Sequence, residues 1–397
     1  MVRQESIGRI KPDDMRINVG MTLILSGAVF LNLLVRTVFS PLLLVIEGDL
    51  GISHKEATQF FLLISTGYSA GMLCSGYVSP KVTHRGTIVL ALSTGGACLL
   101  CISFLHSLHL IRIFLLLLGG GLGLYLPSGL ATIREMTGER NLGKAFSIHE
   151  IGPNLSLILA PIYAQVFIAN ASWRLGLTML GGTCMLYSAV LFVLLRGFGG
   201  TGQGVTLKNL KSILLSGRFW IMVLFFCLAI GATLGVYSVL PTYLVVERGM
   251  PLRTVNAYIG ISRISGIGAI FLIGLLTDRF GVKRVLFFVL ALSGVTTALL
   301  GVPVRRVLLG SLFLQPIIIE CFFPVALTQT AAMWSKTSYN IAISLVIPFS
   351  LLIGGGVFPM LMGLLGEQGN FALGFWLLGA IIAGCAGIVF ALKDEGG

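Results

Sequence analysis

The segment "RGFGGTGQGVTLKNLKSILLSGR" (196–218) is the longest polar connection in a chain of 397 residues, and it stands at the midpoint. What precedes it returns after it at a spacing of about 200 residues, the mark of a duplicated unit. Pro41-Leu-Leu-Leu-Val-Ile-Glu47 is answered by Pro241-Thr-Tyr-Leu-Val-Val-Glu247, and Gly76-Tyr-Val-Ser-Pro-Lys81 by Gly274-Leu-Leu-Thr-Asp-Arg279. Pro127 is answered by Pro324. The polar stretch therefore reads as the connector between two related halves.

Composition sets the solvent in which those halves fold. Hydrophobic residues make up 56% of the chain and charged residues 11%, and the mean hydropathy is +0.96. This is a polytopic membrane protein. The formal charge of +12 would suggest nucleic acid in a soluble protein, but here the basic residues fall in short segments between apolar runs and report topology. Spans of about 20 apolar residues, cut at charged or turn-rich punctuation, fall near 17–46, 57–79, 86–105, 109–133, 143–169, 174–196, 219–246, 255–277, 284–303, 307–331, 338–363 and 371–392. With the N-terminus in the cytoplasm, about 18 of the 27 Lys and Arg lie on the cytoplasmic side and about 7 outside. Both termini are expected in the cytoplasm. The fold class expected is an all-α integral membrane protein of twelve transmembrane helices in two pseudo-symmetric six-helix halves. Residues 1–16 form a cytoplasmic tail, 17–196 the first half, 197–216 a cytoplasmic linker and 217–394 the second half. The charged N-terminus precedes an apolar run too long for a signal-peptide core and is read as retained. The seven cysteines are scattered through apolar runs and read as small core residues.

The segment GLLTDRFGVKR (274–284) resembles the loop motif of the major facilitator superfamily, Gly-x-x-x-Asp-Arg-x-Gly-x-(Lys/Arg)-(Lys/Arg). Gly274, Asp278, Arg279, Gly281, Lys283 and Arg284 occupy its fixed positions, between the eighth and ninth spans. The paired loop GYVSPKVTHRG (76–86) departs from it, with Pro80 in place of the aspartate and Thr83 in place of the glycine. The resemblance implies a substrate site near the midplane between the halves, reached alternately from each side as the halves rock.

Two arginines lie inside apolar runs. Arg36, in "FLNLLVRTVFSPLLL" (30–44), is about ten residues from the outer end of the first span, or roughly 15 Å. Arg263, in "YIGISRISGIGAI" (258–270), is about 12 Å into the eighth span from the same side. An arginine at the centre of a span costs about 2.5–3.5 kcal/mol on insertion scales, so each needs a compensating interaction. In the resembled fold the first span lines the cavity and the eighth borders it, and two guanidiniums held there repel unless an anion joins them. The forks match carboxylate and phosphate and stay charged. The alternative is that each arginine is tied to helix-end carbonyls or to an embedded carboxylate and serves only packing.

Two embedded carboxylates, Glu320 in "PIIIECFFP" (316–324) and Glu150 in "FSIHEIGPN" (146–154), are candidates for carrying a proton, or else fixed partners for the arginines. His149 adjoins Glu150 but points about 100° away on a helix. Tyr68, Tyr125 and Tyr237 fall in spans as possible donors to an anion, with interior packing as the competing reading. The glycine runs GGGLG (119–123) and GGG (354–356) read as close-packing devices.

These features point to a secondary transporter of a small organic anion, read as a carboxylate, working by alternating access with proton symport. Sugar phosphates or inorganic oxyanions are the near alternative. Efflux of hydrophobic drugs by proton antiport is the second, although the fifth span reads LILAPIYAQ (157–165) without the Gly-Pro-x-x-Gly-Gly ending usual for such antiporters. No HExxH, nucleophile elbow or phosphate loop is present, so the chain is not read as an enzyme. The expected partners are the anionic substrate, protons and the lipid bilayer of the cell's inner (plasma) membrane. No cofactor, metal or nucleic acid is expected, and the protein is read as a monomer.

Overall fold

The computed structural model describes residues 18–137, 141–170, 172–198, 200–201, 207–334 and 336–392. The described residues are helical almost throughout and contain no strand. In a chain this apolar, helices satisfy every backbone group within the segment, which is what a bilayer demands. We label the long helices α1 (Val19–Leu50), α2 (His54–Phe104), α3 (Leu108–Met136), α4 (Leu142–Asn170), α5 (Trp173–Gly197), α6 (Gly217–Val246), α7 (Leu252–Phe280), α8 (Val282–Leu299), α9 (Arg305–Met333), α10 (Ile341–Glu367) and α11 (Phe371–Ala391). Ten of them, α1–α6 and α8–α11, are long and apolar enough to cross a membrane among the described residues. The sequence pattern led us to expect twelve. One difference is that α2, 51 residues long, takes in the second and third expected spans around a break at Thr83. The eighth expected span lies in α7, a 29-residue helix in which residues 260–277 carry a single charged residue, Arg263.

The break at Thr83 shows what the loop motif imposes. In the second half the motif glycine, Gly281, has φ 85°, and the helix restarts at Val282. In the first half the matching residue, Thr83, has φ 66° and ψ 164°, a region essentially reserved for glycine. The backbone turn has been kept although the residue suited to it has not. Gly86 N donates to Thr83 Oγ1 at 3.3 Å, which offsets part of the strain. Thr83→Gly is therefore expected to stabilise the protein by about 1 kcal/mol, at the low end of such strain energies. Thermal unfolding of the purified protein measures it, and an unchanged or lower midpoint would show that Thr83 is unstrained.

The apolar core is divided. One cluster draws on residues from Leu25 to Leu195, together with Ile230 and Leu351. The other runs from Ile213 to Leu392 and adds Leu33 and Leu157. The few residues that cross over mark where the two sets of helices meet. Ser40 Oγ donates to Tyr237 O (2.7 Å), Ser69 Oγ to Pro348 O (2.7 Å) and Asn256 Nδ2 to Gln165 Oε1 (3.1 Å). The duplicated Pro…Glu segments end on carboxylates used in related ways. Glu47 lies 2.8 Å from His54 Nδ1 at the start of α2. Glu247 accepts from the backbone N–H groups of Phe371 and Ala372 at the start of α11, where a carboxylate complements the helix dipole.

The linker side faces the cytoplasm if the basic residues are distributed as the positive-inside rule requires. Thr201 and Arg253 are both exposed. Cysteines placed at these positions in a cysteine-free background should react with an impermeant thiol reagent from opposite sides of the membrane. Same-side labelling would overturn the topology.

Candidate functional site

Arg36 is positioned by polar and small residues around it. One turn earlier on α1, Asn32 Nδ2 donates to Leu122 O of α3 at 2.9 Å. The glycine run of α3 packs directly on the α2 backbone: a Cβ at Gly119 would meet Ile64 O at 2.1 Å, and one at Gly123 would meet Tyr68 O at 2.1 Å. This close approach seats Tyr68 so that the Arg36 Cζ lies 4.0 Å from its ring centroid. The cation–π contact contributes about 0.5–2 kcal/mol. Taking a charge out of water costs several kcal/mol. Among the described residues no carboxylate forms an ion pair with Arg36, and its Nε has no hydrogen-bond partner. A positive charge is left without a counter-charge.

Arg263 is held from the other side. On α7, Asn256 bonds Gln165 of α4, and a Cβ at Gly260 would come within 3.0 Å of Ile158 O. Arg263, two turns on from Asn256, has a side chain 3% exposed. Its Cζ lies 5.2 Å from the Tyr237 ring centroid, and its Nη1 lies 3.9 Å from Glu320 Oε1. That separation is an ion pair without a hydrogen bond, and both Nε and Nη1 lack hydrogen-bond partners. Gly266 makes room for the carboxylate, since a Cβ there would sit 3.3 Å from Glu320 Cγ.

Tyr237 connects the two arginines. It carries Arg263 over its ring and lines, together with Arg36, Leu33, Ser65, Leu234 and Gly355, a cavity of about 30 Å³. Such a space admits about one water molecule, so the junction is nearly closed. The Tyr237 hydroxyl donates to Leu157 O at 3.3 Å. Arg36, Tyr68, Tyr237, Arg263 and Glu320, all singled out in the sequence, thus lie in one chain of contacts.

Two other candidates have different surroundings. Tyr125 is fully buried; its hydroxyl donates to Leu25 O at 2.8 Å and faces His149 Nε2 at 3.1 Å. It is occupied by helix packing and offers no free donor. Glu150 lies within the candidate span α4, with its side chain 61% exposed. The buried member of the pair is His149, on the face of α4 that packs against α1, where Ser26 Oγ donates to His149 O at 3.2 Å. The ring was expected to point away from Glu150, yet the flexible carboxylate folds back to 3.7 Å from His149 Nδ1. In the loop motif, Gly274, Asp278, Arg279, Gly281 and Arg284 are exposed and Lys283 is half-buried.

One cross-contact has a half-legible origin. Ser53 and Glu56 form a capping box at the start of α2, readable as Ser-x-x-Glu. Glu367, from the end of α10, adds a carboxylate that accepts from Lys55 N at 3.0 Å. Just below it a Cβ at Gly363 would lie 2.0 Å from Thr58 Oγ1. Local sequence gives the cap but not the partner from 312 residues away.

The helices thus divide over two apolar clusters that share residues beside a small, mostly apolar cavity holding Arg36 and Tyr237. The chain belongs to the Major Facilitator Superfamily, whose sequence profile matches residues 25–274 and 264–396. It is a multi-pass membrane transporter rather than an enzyme. It is 21% identical over 367 residues to the "Probable sulfoacetate transporter SauU" of Cupriavidus necator, covering 85% of each chain. In fold it is similar to a bacterial homologue of the human lysosomal transporter Spinster in an inward-facing, occupied conformation. That likeness has a TM-score of 0.76 and 15% identity, over 96% of this chain and 97% of the other. It is likewise similar in fold to a D-xylose-proton symporter, with a TM-score of 0.77 and 14% identity, over 96% of this chain and 99% of the other.

Proposed function

We propose that this protein is a secondary transporter that carries a small organic anion, a carboxylate or sulfonate, across the inner membrane together with a proton. The observation that carries the reading is Arg36, a membrane-embedded guanidinium resting on Tyr68 with no ion-pair partner among the described residues. An anion is the counter-charge that this site lacks, and Arg263, over the ring of the Tyr237 that lines the same cavity as Arg36, supplies a second fork. The similarity to a sulfoacetate transporter supports an anionic substrate independently of the geometry. Alternating access follows if residues 17–196 and 217–394 rock against each other about the junction at Tyr237, with both termini in the cytoplasm. Glu320 is the proton carrier, because it is the carboxylate in contact with a site arginine. The protein acts as a monomer.

The test is thermal stabilisation of the purified protein against carboxylates, sulfonates including sulfoacetate, phosphates and hydrophobic cations. Stabilisation by the carboxylates or sulfonates alone is expected, and its loss in Arg36→Gln. Stabilisation by hydrophobic cations and by no anion would replace this reading with drug efflux.

A further inference from the structure

We infer that the site takes a short dianion, with one acidic head on Arg36 and the other on Arg263, and that Glu320 must be protonated while it is bound. The inference rests on the anion reading above and specifies the valency of the substrate. Each set of helices contributes one guanidinium on one tyrosine: Arg36 at 4.0 Å from Tyr68, and Arg263 at 5.2 Å from Tyr237. The two forks come from opposite halves. Unpartnered donors remain on both, at Arg36 Nε and at Arg263 Nε and Nη1. A planar fork is completed by two acceptor oxygens of one acidic group, so a single head completes one fork and leaves the other with buried, unmatched N–H groups. A ligand with two heads completes both. It also ties the halves together across Tyr237, which links binding to closure.

Charge counting sets the proton. With Glu320 ionised, the buried Arg263 and the half-buried Arg36 and Glu320 sum to one positive charge, and a monoanion neutralises the site with no proton. A dianion would leave one net negative charge in a region of low dielectric, where uncompensated charge is costly. If Glu320 takes one proton to become a neutral carboxylic acid, the balance is restored and Arg263 is released to the ligand. The proton leaves when the dianion leaves and the carboxylate returns to Arg263. The charged and titratable groups in reach of Glu320 are Arg263 on α7, Glu150 on α4 and Cys321 on its own helix. Tyr237 on α6 is the further titratable neighbour of Arg263.

Alkyl sulfonates test this cleanly, because their charge does not change over the working pH range. Binding of methanesulfonate, methanedisulfonate and 1,2-ethanedisulfonate to the purified full-length protein is measured by calorimetry across neutral pH. The disulfonates are expected to bind at least about 10-fold tighter than methanesulfonate, the gain of a second charged contact. Their affinity should fall as pH rises, approaching 10-fold per unit, the slope of one linked proton. Methanesulfonate affinity should not follow pH in this way. In Glu320→Gln, disulfonate binding should become independent of pH, and in Arg36→Gln the disulfonate advantage should disappear. Equal affinity for both valencies, or disulfonate binding that ignores pH in the wild-type protein, overturns the inference and leaves the anion reading standing. Binding of none of the sulfonates, in a protein also unresponsive to carboxylates, overturns both. The wild-type pH series alone decides the matter if a variant does not fold.

Discussion

Arg263→Lys is expected to lower anion transport by about 100-fold at unchanged expression, although the charge is preserved. The arginine lies with its side chain 3% exposed, over Tyr237 and 3.9 Å from Glu320. A lysine ammonium is a point charge that cannot present two parallel N–H groups to one acidic head, and it is more strongly hydrated than a guanidinium. Truncating one partner of a buried, hydrogen-bonded charge pair costs about 2–5 kcal/mol, and keeping the charge places the loss in the lower half of that range, at about 2.8 kcal/mol. At 1.4 kcal/mol per tenfold, that is the expected factor. Arg36→Lys should act in the same direction but more mildly, since Arg36 has a looser setting, with Tyr68 and, among the described residues, no carboxylate partner. Arg305→Lys, at an exposed helix start, is the control and should transport normally. Initial rates of substrate uptake in proteoliposomes measure all three. Normal kinetics in both site variants would return the arginines to a packing role.

The candidate residues that could be read from the sequence share one property: they are charged or aromatic in runs where neighbours are apolar, and the bilayer makes that exception expensive. Arg36, Arg263 and Glu320 stand out for this reason, and the duplicated Pro…Glu segments exposed the two-part core. What the sequence could not supply was the rotation of each helix about its axis. In a soluble helix the polar face reports it, but a helix that is apolar all round gives no such signal. Tyr125 and Glu150 show the consequence. Tyr125 turns into the α1–α4 contact with Leu25 and His149, while Glu150, one residue from a fully buried histidine, turns out. Thr83 shows the complementary limit, because its departure from the motif was visible while its retention of the glycine backbone conformation was not. The Glu367 contact with α2 was hidden for a third reason, since it depends on how the two halves meet.

Glu320→Gln is expected to abolish proton-driven accumulation while leaving exchange of substrate across the membrane intact. The membrane potential opposes entry of each net negative charge by about 2.3 kcal/mol per 100 mV, so an anion carried alone is driven outward. A proton bound with it cancels one charge and draws on the pH gradient. Of the carboxylates near the site, Glu320 touches Arg263 at 3.9 Å and has a side chain 15% exposed, whereas Glu150 is 61% exposed. Ionised, Glu320 lowers the positive charge of the empty site and lets it reorient; protonated, it releases Arg263 to the substrate. Glutamine imitates the protonated state permanently. The loaded carrier can then still reorient in both directions, which is all that exchange requires, but the empty carrier retains two unneutralised guanidiniums and can no longer return. The same proteoliposomes separate the two activities: an imposed pH gradient drives accumulation, and preloaded substrate drives exchange of label. Accumulation by Glu320→Gln at the wild-type level would exclude Glu320 as the carrier. Glu150→Gln would then be tested in the same two assays, with proton-independent anion exchange as the mechanism if it too accumulates normally.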